Sequence, residues 1–233
     1  PENFRWFFNN DHSRKYAQRM GVPIGKEEII YSGTDTSIFQ FEDRQRIGSP
    51  IKIIVPSRIE PKKGTIDAVL LIDLLRQNNI KAKLTIVGYV GSENYFEQLR
   101  EKIEQLNIDE NVEILDMVDH QRLAKLYRGS DVCFFPSYHH SGLSRVTLEA
   151  MASGCLFISY GNEASREIIT NEKTGFIVDE GDICACKDII MEMVRNSAKY
   201  QSVIEEAHQE ILKIHIMDVY IDSIESFLKE TIQ

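Results

Sequence analysis

The sequence predicts a doubly wound α/β domain on a parallel sheet of six strands. Three observations carry this. From Ile51 onward short apolar runs alternate with longer segments of helical period, the alternation repeats six times, and each apolar run is rich in Ile, Val or Phe and short enough to be one strand.

Residues 1–50 come first and read as a connector, with Gly and polar turn signals, a helix-like stretch from Ser13 to Met20 and a strand-like pair at Ile29 and Ile30. The first strand is Ile51 to Pro56. A helix follows over Gly64 to Gln77, in which Ile66, Val69, Leu70, Asp73 and Leu74 keep the spacing of one face. The next units pair Ala82 to Gly88 with Glu93 to Leu106, and Val112 to Asp116 with His120 to Arg128. Then come Val132 to Pro136 with Arg145 to Ser153, Leu156 to Tyr160 with Ser165 to Thr170, and Gly175 to Val178 with Asp182 to Asn196. Beyond residue 198 a long helical pattern runs through Val203, Ala207, Ile211, Ile216, Tyr220, Ile224 and Phe227, with a break expected near His215. The expected organisation is therefore a connector over 1–50, the α/β domain over 51–198 and a terminal helix over 199–233. No internal repeat or low-complexity tract is present.

Composition narrows the function. Apolar residues make up 42% and charged residues 27%, ordinary for a globular protein. A net charge of −9 argues against a nucleic-acid-binding surface, which needs clustered Lys and Arg, although a local basic pocket stays open. The cysteines at 133, 155, 184 and 186 contain no C-x-x-C pair and read as packed thiols of a reducing, cytoplasmic compartment. No apolar run approaches the ~20 residues of a membrane-spanning helix. The chain opens on Pro1 rather than Met, as a piece of a longer chain would.

The strand order usual for such a sheet, 3-2-1-4-5-6, opens a crevice at the carboxyl ends of strands one and four. That crevice is lined by Ser57 to Lys63 and by Ser137 to Glu149. Arg58 and Lys63, in PSRIEPKKG, offer a planar fork and a compact point charge for a diphosphate. Taken alone, such a pair reads more readily as a solvated basic loop. In SYHHSGLSRVTLEAMASG, residues 137–154, Gly142 permits close backbone approach, and free N–H groups at the helix start form an anion site. Glu149, four residues past Arg145, suits ribose hydroxyls but equally suits a dipole-stabilised carboxylate in an ordinary amphipathic helix.

Taken together the motifs resemble the GT4 family of retaining glycosyltransferases, along most of the chain. IIYSGTDTSIF at 29–39 is similar to that family's V-I-x-N-G-V-D-x-x-x-F, RIEPKKG to R-x-x-x-x-K-G, and IVGYVG at 86–91 to its V-G-x-G loop. NVEILDMV at 111–118 is similar to N-V-x-F-x-G-x-V. PS at 136 and 137 followed by GLSRVTLEAMASG is similar to the E-x7-E segment, and EIITNEKTGFIV at 167–178 to E-I-I-x-x-x-x-x-G-x-x-V. The resemblance implies the nucleotide-sugar-binding, Rossmann-like C-terminal domain of a GT-B enzyme. Arg58 and Lys63 would bind the donor diphosphate and Glu149 the ribose, these three being the catalytic candidates. Gly142, Leu143 and Ser144 would hold sugar and phosphates through backbone N–H groups, with Ser141 and Val146 beside them, and Gly88 and Val118 would lie near the base.

The implied partner is a nucleotide sugar, a UDP-sugar first and a GDP- or ADP-sugar otherwise. The implied acceptor is a glycan or lipid-linked molecule, held by an N-terminal domain onto which the terminal helix packs. No metal or other cofactor is expected, and the location is the cytoplasm, with peripheral attachment to the inner membrane face through the N-terminal domain as an alternative. Two positions depart from the pattern. Ser141 stands where the first Glu of E-x7-E is usual, and Ser32 where Asn is usual. Ser141 opens a second reading, a non-catalytic nucleotide-sugar-binding module. A third is a GT-B nucleotide-sugar epimerase, which needs carboxylates and a histidine at positions of its own.

Overall fold

Runs such as VCFF and LFISY, apolar at consecutive positions, suit strands covered on both faces rather than strands with one wet face. They occupy the middle of the sheet. The computed structural model describes residues 4–42, 48–138, 144–161 and 165–232. In chain order its elements are β1 (Arg5–Phe8), α1 (Asp11–Arg19), β2 (Lys26–Ile29), β3 (Ile51–Pro56), α2 (Thr65–Gln77), β4 (Ala82–Val87), α3 (Glu93–Leu106), β5 (Val112–Leu115) and α4 (His120–Arg128). They continue as β6 (Val132–Phe135), α5 (Arg145–Ala152), β7 (Leu156–Tyr160), β8 (Phe176–Val178), α6 (Ile183–Arg195), α7 (Ser197–Ile214) and α8 (Met217–Ile232).

The large sheet is parallel throughout, in the order β5-β4-β3-β6-β7-β8. This is the order expected from the sequence. Its reversal point lies between β3 and β6, where Ile53 stands beside Val132 and Ile54 beside Cys133. Helices cover both faces, so buried residues form two clusters. One holds Ile53, Val55, Leu71, Leu84 and Phe134 under α2, α3 and α6; the other holds Ile54, Cys133, Phe135, Leu148 and Met151 under α4, α5 and α7. Among the described residues no helix is long and apolar enough to cross a membrane.

Most element ends lie within a residue or two of the sequence expectation, as helix ends do. Four differences go further. Residues 165–170 hold a single 3-10 turn, Ser165–Glu167, rather than a helix. Thr174 Oγ1 there accepts from the Thr170 N–H at 2.9 Å, closing a turn where a helix would have continued. In α2 the buried residues are Thr65, Ala68, Val69, Leu71, Ile72, Asp73 and Leu75, not the single expected face, because the helix is wedged between β4, α3 and α6. Cys186 is buried as expected, whereas Cys184 is exposed, one residue past the start of α6 and on its outer side.

The fourth difference is the connector. Strands β1 and β2 pair in parallel, Arg5 beside Lys26 through Phe8 beside Ile29, with α1 as the crossover. RWFF shows no strand alternation, so β1 is not predicted. Asn10 caps α1 by accepting from the Ser13 N–H at 2.7 Å. Glu167 completes the cap from across the chain, accepting from the N–H groups of Asp11 and His12 at 2.7 Å each, where the helix dipole favours a carboxylate.

Helices α7 and α8 break at His215, where the periodicity predicts a break. Thr34 fills the break: its N–H donates to the His215 carbonyl at 2.7 Å and its carbonyl accepts from Met217 at 3.0 Å. His215 is buried, its ring edge-on to Tyr31, with Nδ1 3.2 Å from the Ser32 carbonyl. Gly33 is required by this contact, since a Cβ there would stand 2.6 Å from the Ile216 carbonyl oxygen. Replacing Gly33 with Ala therefore forces the strap off the helix break, at a cost of about 1 to 3 kcal/mol. The expected result is a lower urea midpoint and faster proteolysis around residues 214–217; an unchanged midpoint would show that the strap yields freely.

Candidate functional site

The loops that leave the carboxyl ends of β3, β4 and β6 meet at the reversal point, and short backbone bonds lock them together. Ile59 N–H donates to the Tyr89 carbonyl at 3.0 Å, and Gly91 and Ser92 donate back to the Ile59 carbonyl at 3.0 and 3.1 Å. Gly88 donates to the Leu115 carbonyl at 3.0 Å, with its α-carbon against the backbone of Ser57. This is why RIEPKKG and IVGYVG, some thirty residues apart in sequence, form one rim.

Pro61 to Lys63 form a 3-10 turn with Pro at its first position, and Glu60 before it is extended, as a residue preceding Pro prefers. Gly64 then takes a left-handed conformation with φ of 62°. A Cβ there would overlap the Pro136 carbonyl oxygen, so only glycine lets the turn lie against the end of β6. The result is that Lys63 Nζ stands 3.4 Å from Ser137 Oγ and 5.5 Å above the Phe135 ring. Burial, with Arg58 nearby, holds the Lys63 ammonium below its ordinary pKa, and Glu60 only partly opposes the shift. Arg58 Nη2 lies 3.2 Å from Glu60 Oε1, which orients the guanidinium while its side chain stays 42% exposed. Glu60 is a member of the site that sequence reasoning passes over; its place two residues after Arg58 is the signal that could have found it.

Helix α5 supplies the opposite wall. Ser144 is its N-cap, with an extended backbone and no capping bond from its side chain, and Val146 is partly buried on the α4 side of the sheet. Ser141, Gly142 and Leu143 lie outside the described residues. Glu149 is only 5% exposed, packed with Leu148, Met151 and Ala152. Arg145 Nε is 3.6 Å from its Oε1, and the Tyr127 hydroxyl donates weakly to its Oε2 at 3.5 Å. Burial outweighs Arg145, and the carboxyl is pushed up to about 7. An acid this costly to ionise is not the dipole-stabilised surface carboxylate that the sequence left open. Tyr127, on α4, has no sequence spacing that links it to Glu149. Val118 is partly buried beside Val87 and Leu115, at the β4–β5 end of the same rim. Arg58 and Lys63 thus follow β3, Gly88 follows β4 and Val118 follows edge strand β5, while Ser144, Val146 and Glu149 sit at the start of or within the helix that follows β6.

The family described as glycosyl transferases group 1 matches residues 37–210. Among characterised relatives, the amylovoran biosynthesis glycosyltransferase AmsK of Erwinia amylovora is 23% identical over 197 residues, covering 82% of this chain and 48% of that protein. The GDP-mannose-dependent α-(1-6)-phosphatidylinositol monomannoside mannosyltransferase of Mycobacterium tuberculosis is 26% identical over 194 residues, covering 77% and 49%. The chain thus spans about half the length of the curated relatives it matches. Anabaena Alr3699/HepE, solved in complex with UDP-glucose, has the same fold with a TM-score of 0.84 at 19% identity, over 96% of this chain and 63% of that one. The C-terminal domain of the glycosyl transferase group 1 protein LpcC from Francisella tularensis superposes with a TM-score of 0.69 at 20% identity, over 79% of this chain and all of that domain.

The Glu149 carboxyl makes a signed prediction. Its folded pKa of about 7 lies above the ordinary 4.5, so the folded state holds the proton more tightly between those values. The stability this contributes is complete below the unfolded pKa and is lost as pH rises through about 7. Glu149→Gln, which cannot ionise, should therefore unfold at a higher denaturant concentration than the wild type at pH 8, with the two close together at pH 5. Equal midpoints at pH 8 would mean that the carboxylate is compensated in the folded state.

Proposed function

Because the chain belongs to the glycosyl transferases group 1 family, we propose that its crevice binds a nucleotide-diphosphate sugar. In this reading a neighbouring acceptor domain completes the site, and the sugar passes with retention of configuration to a glycan or lipid-linked acceptor. The observation that supports the donor reading is a partly buried Lys63 held against Ser137 at the end of β6, with Arg58 in the same turn region, and a buried Glu149 in the helix that follows β6. Lys63 and Arg58 would take the diphosphate and stabilise it as it leaves, with the N–H groups at the start of α5 adding their dipole. Glu149 would accept from the ribose hydroxyls, and the rim at Gly88 and Val118 would face the base. A UDP-sugar is the first choice of donor, since HepE was solved with UDP-glucose, and GDP- and ADP-sugars follow.

The acceptor domain is proposed on a second ground. A two-stranded parallel unit with one crossover helix does not bury enough apolar surface to stand alone. Here Phe4, Trp6 and Phe7 on and beside β1 are 65%, 38% and 43% exposed, with Ile221 and Leu228 of α8 exposed as well. Such a face suits a further sheet continuing from β1 and β2. Efficient transfer would need that domain, because it positions the acceptor.

Titration calorimetry of the 233-residue chain with UDP, GDP and ADP tests the donor site. Dissociation constants between about 1 μM and 1 mM are expected for at least one of them. Arg58→Ala and Lys63→Ala should each weaken binding by about tenfold or more, the loss of one charge-assisted bond of about 1.5 to 3 kcal/mol. Absence of binding by all three at millimolar concentration would remove the donor assignment.

Ser141 favours a second reading, a nucleotide-sugar-binding module without turnover, since a serine hydroxyl is shorter than the usual glutamate and uncharged. Release of nucleoside diphosphate from a panel of donor sugars, measured on the chain joined to its acceptor domain, separates the readings. Turnover that Ser141→Glu does not raise supports the enzyme; none until Ser141→Glu is introduced supports the module.

A further inference from the structure

One carboxylate below the crevice joins three segments that the sequence keeps far apart. Asp67 lies in the first turn of α2, four residues past Lys63, and its Oδ2 accepts hydrogen bonds from the hydroxyls of Tyr138 at 2.5 Å and Tyr160 at 2.7 Å. Tyr138 follows Ser137 directly; Tyr160 is the last residue of β7. The two rings meet edge to face at 5.3 Å, and the Tyr160 ring packs in the same way on Phe134 at 5.7 Å. Burial and the bond to Asp67 hold both phenols well above their ordinary pKa, so they remain donors at any physiological pH.

The Tyr138 segment is tied to the Lys63 segment three times more, once by the Ser137 hydroxyl donating to the Lys62 carbonyl at 3.4 Å. Tyr138 N–H donates to the Lys62 carbonyl at 2.9 Å, and Ser137 Oγ is the polar neighbour of Lys63 Nζ at 3.4 Å. The Tyr138–Asp67 bond therefore closes a short ring of contacts: Lys63 to Ser137, along the backbone to Tyr138, across its hydroxyl to Asp67, and back through the first turn of α2 and Gly64. Asp67 N–H donates to the Gly64 carbonyl at 2.9 Å, so the carboxylate and the glycine turn are rigidly linked.

We infer that Asp67 and Tyr138, with Tyr160 behind them, are positioning residues for Lys63, fixing where its ammonium stands against the end of β6. The inference rests on the donor-diphosphate reading of that lysine. It assigns to a tyrosine hydroxyl and a carboxylate that do not touch the ligand a share of the affinity that passes through Lys63.

A double-mutant cycle on the 233-residue chain isolates this share. Tyr138→Phe keeps the ring and removes the hydrogen bond. UDP binding is followed by ligand-observed NMR, which reads dissociation constants into the millimolar range. Tyr138→Phe alone should weaken UDP binding about fivefold to tenfold, on the scale of the net contribution of one hydrogen bond. In the Lys63→Ala background the same change should alter it less than about twofold. An equal loss in both backgrounds, or no loss in either, overturns the inference, because a merely structural role weakens the site whether or not the lysine is present. Asp67→Asn, carried through the same cycle, gives the answer should Tyr138→Phe fail to fold. A wild-type chain that binds no UDP, GDP or ADP fells the donor reading and this inference with it; binding without coupling fells this inference alone.

Discussion

The close approach of Gly64 to the Pro136 carbonyl is the contact on which the crevice depends. A parallel sheet whose strand order reverses leaves a gap between the loops of its two central strands, and something must set its width. Here the width is set by backbone against backbone: a left-handed glycine lies where any Cβ would overlap a carbonyl oxygen. The turn before the glycine carries Lys63, the chain after Pro136 carries Ser137 and Tyr138, and α5 starts beyond them. Their spacing follows from that single contact, and side-chain bonds such as Tyr138 to Asp67 then hold it.

The electrostatics of the crevice are unbalanced. Lys63 is half withdrawn from water with Arg58 close by, and among the described residues Glu60 is the carboxylate paired with Arg58 and Lys62, not with Lys63. On the other wall Glu149 is buried so deeply that its proton is retained to about pH 7. An ammonium drawn partly out of water and a carboxyl buried from solvent both cost stability in the unliganded protein, and such costs gather where function opposes folding. Under the proposed donor reading, a ligand with phosphates toward Lys63 and hydroxyls toward Glu149 would relieve both.

The large sheet was legible because each strand is a short apolar run bounded by loop signals, and strands covered on both faces leave no polar register to misread. The crevice followed from strand order alone. What stayed hidden was set by contacts between elements. Tyr127 reaches Glu149 only because α4 and α5 bury residues in the same cluster on one face of the sheet, and Asp67 reads in sequence as an ordinary acidic residue in a first helical turn. Thr65, Leu71 and Leu75 escaped the expected face of α2 because that helix has neighbours on three sides, which no single stripe can encode. Strand β1 was missed for the opposite reason. Its residues are at most partly buried, so RWFF carries none of the alternation that burial of one face imposes.

Strand β1 and helix α8 are tied directly to one another, apart from the large sheet. Arg5 donates to the Phe227 carbonyl at 3.5 Å and to Glu230 at 3.1 Å, its guanidinium 4.7 Å above the Phe227 ring, while Phe7 meets that ring edge-on at 5.5 Å. Strand β1 and helix α8 thus share a small apolar contact of their own. They are joined to the α/β domain by Thr34 in the helix break and by Glu167 on the start of α1, both hydrogen-bonded ties worth about 1 kcal/mol per bond, up to about 3 where the carboxylate is involved. The sheet and its crevice are held by buried aliphatic layers and by backbone that cannot be displaced without overlap. The orientation of the βαβ unit is held by a few polar bonds around one backbone crossing. Such ties open at lower free energy than a packed core, so the two walls that carry Lys63 and Glu149 are held more firmly than the attachment beside them.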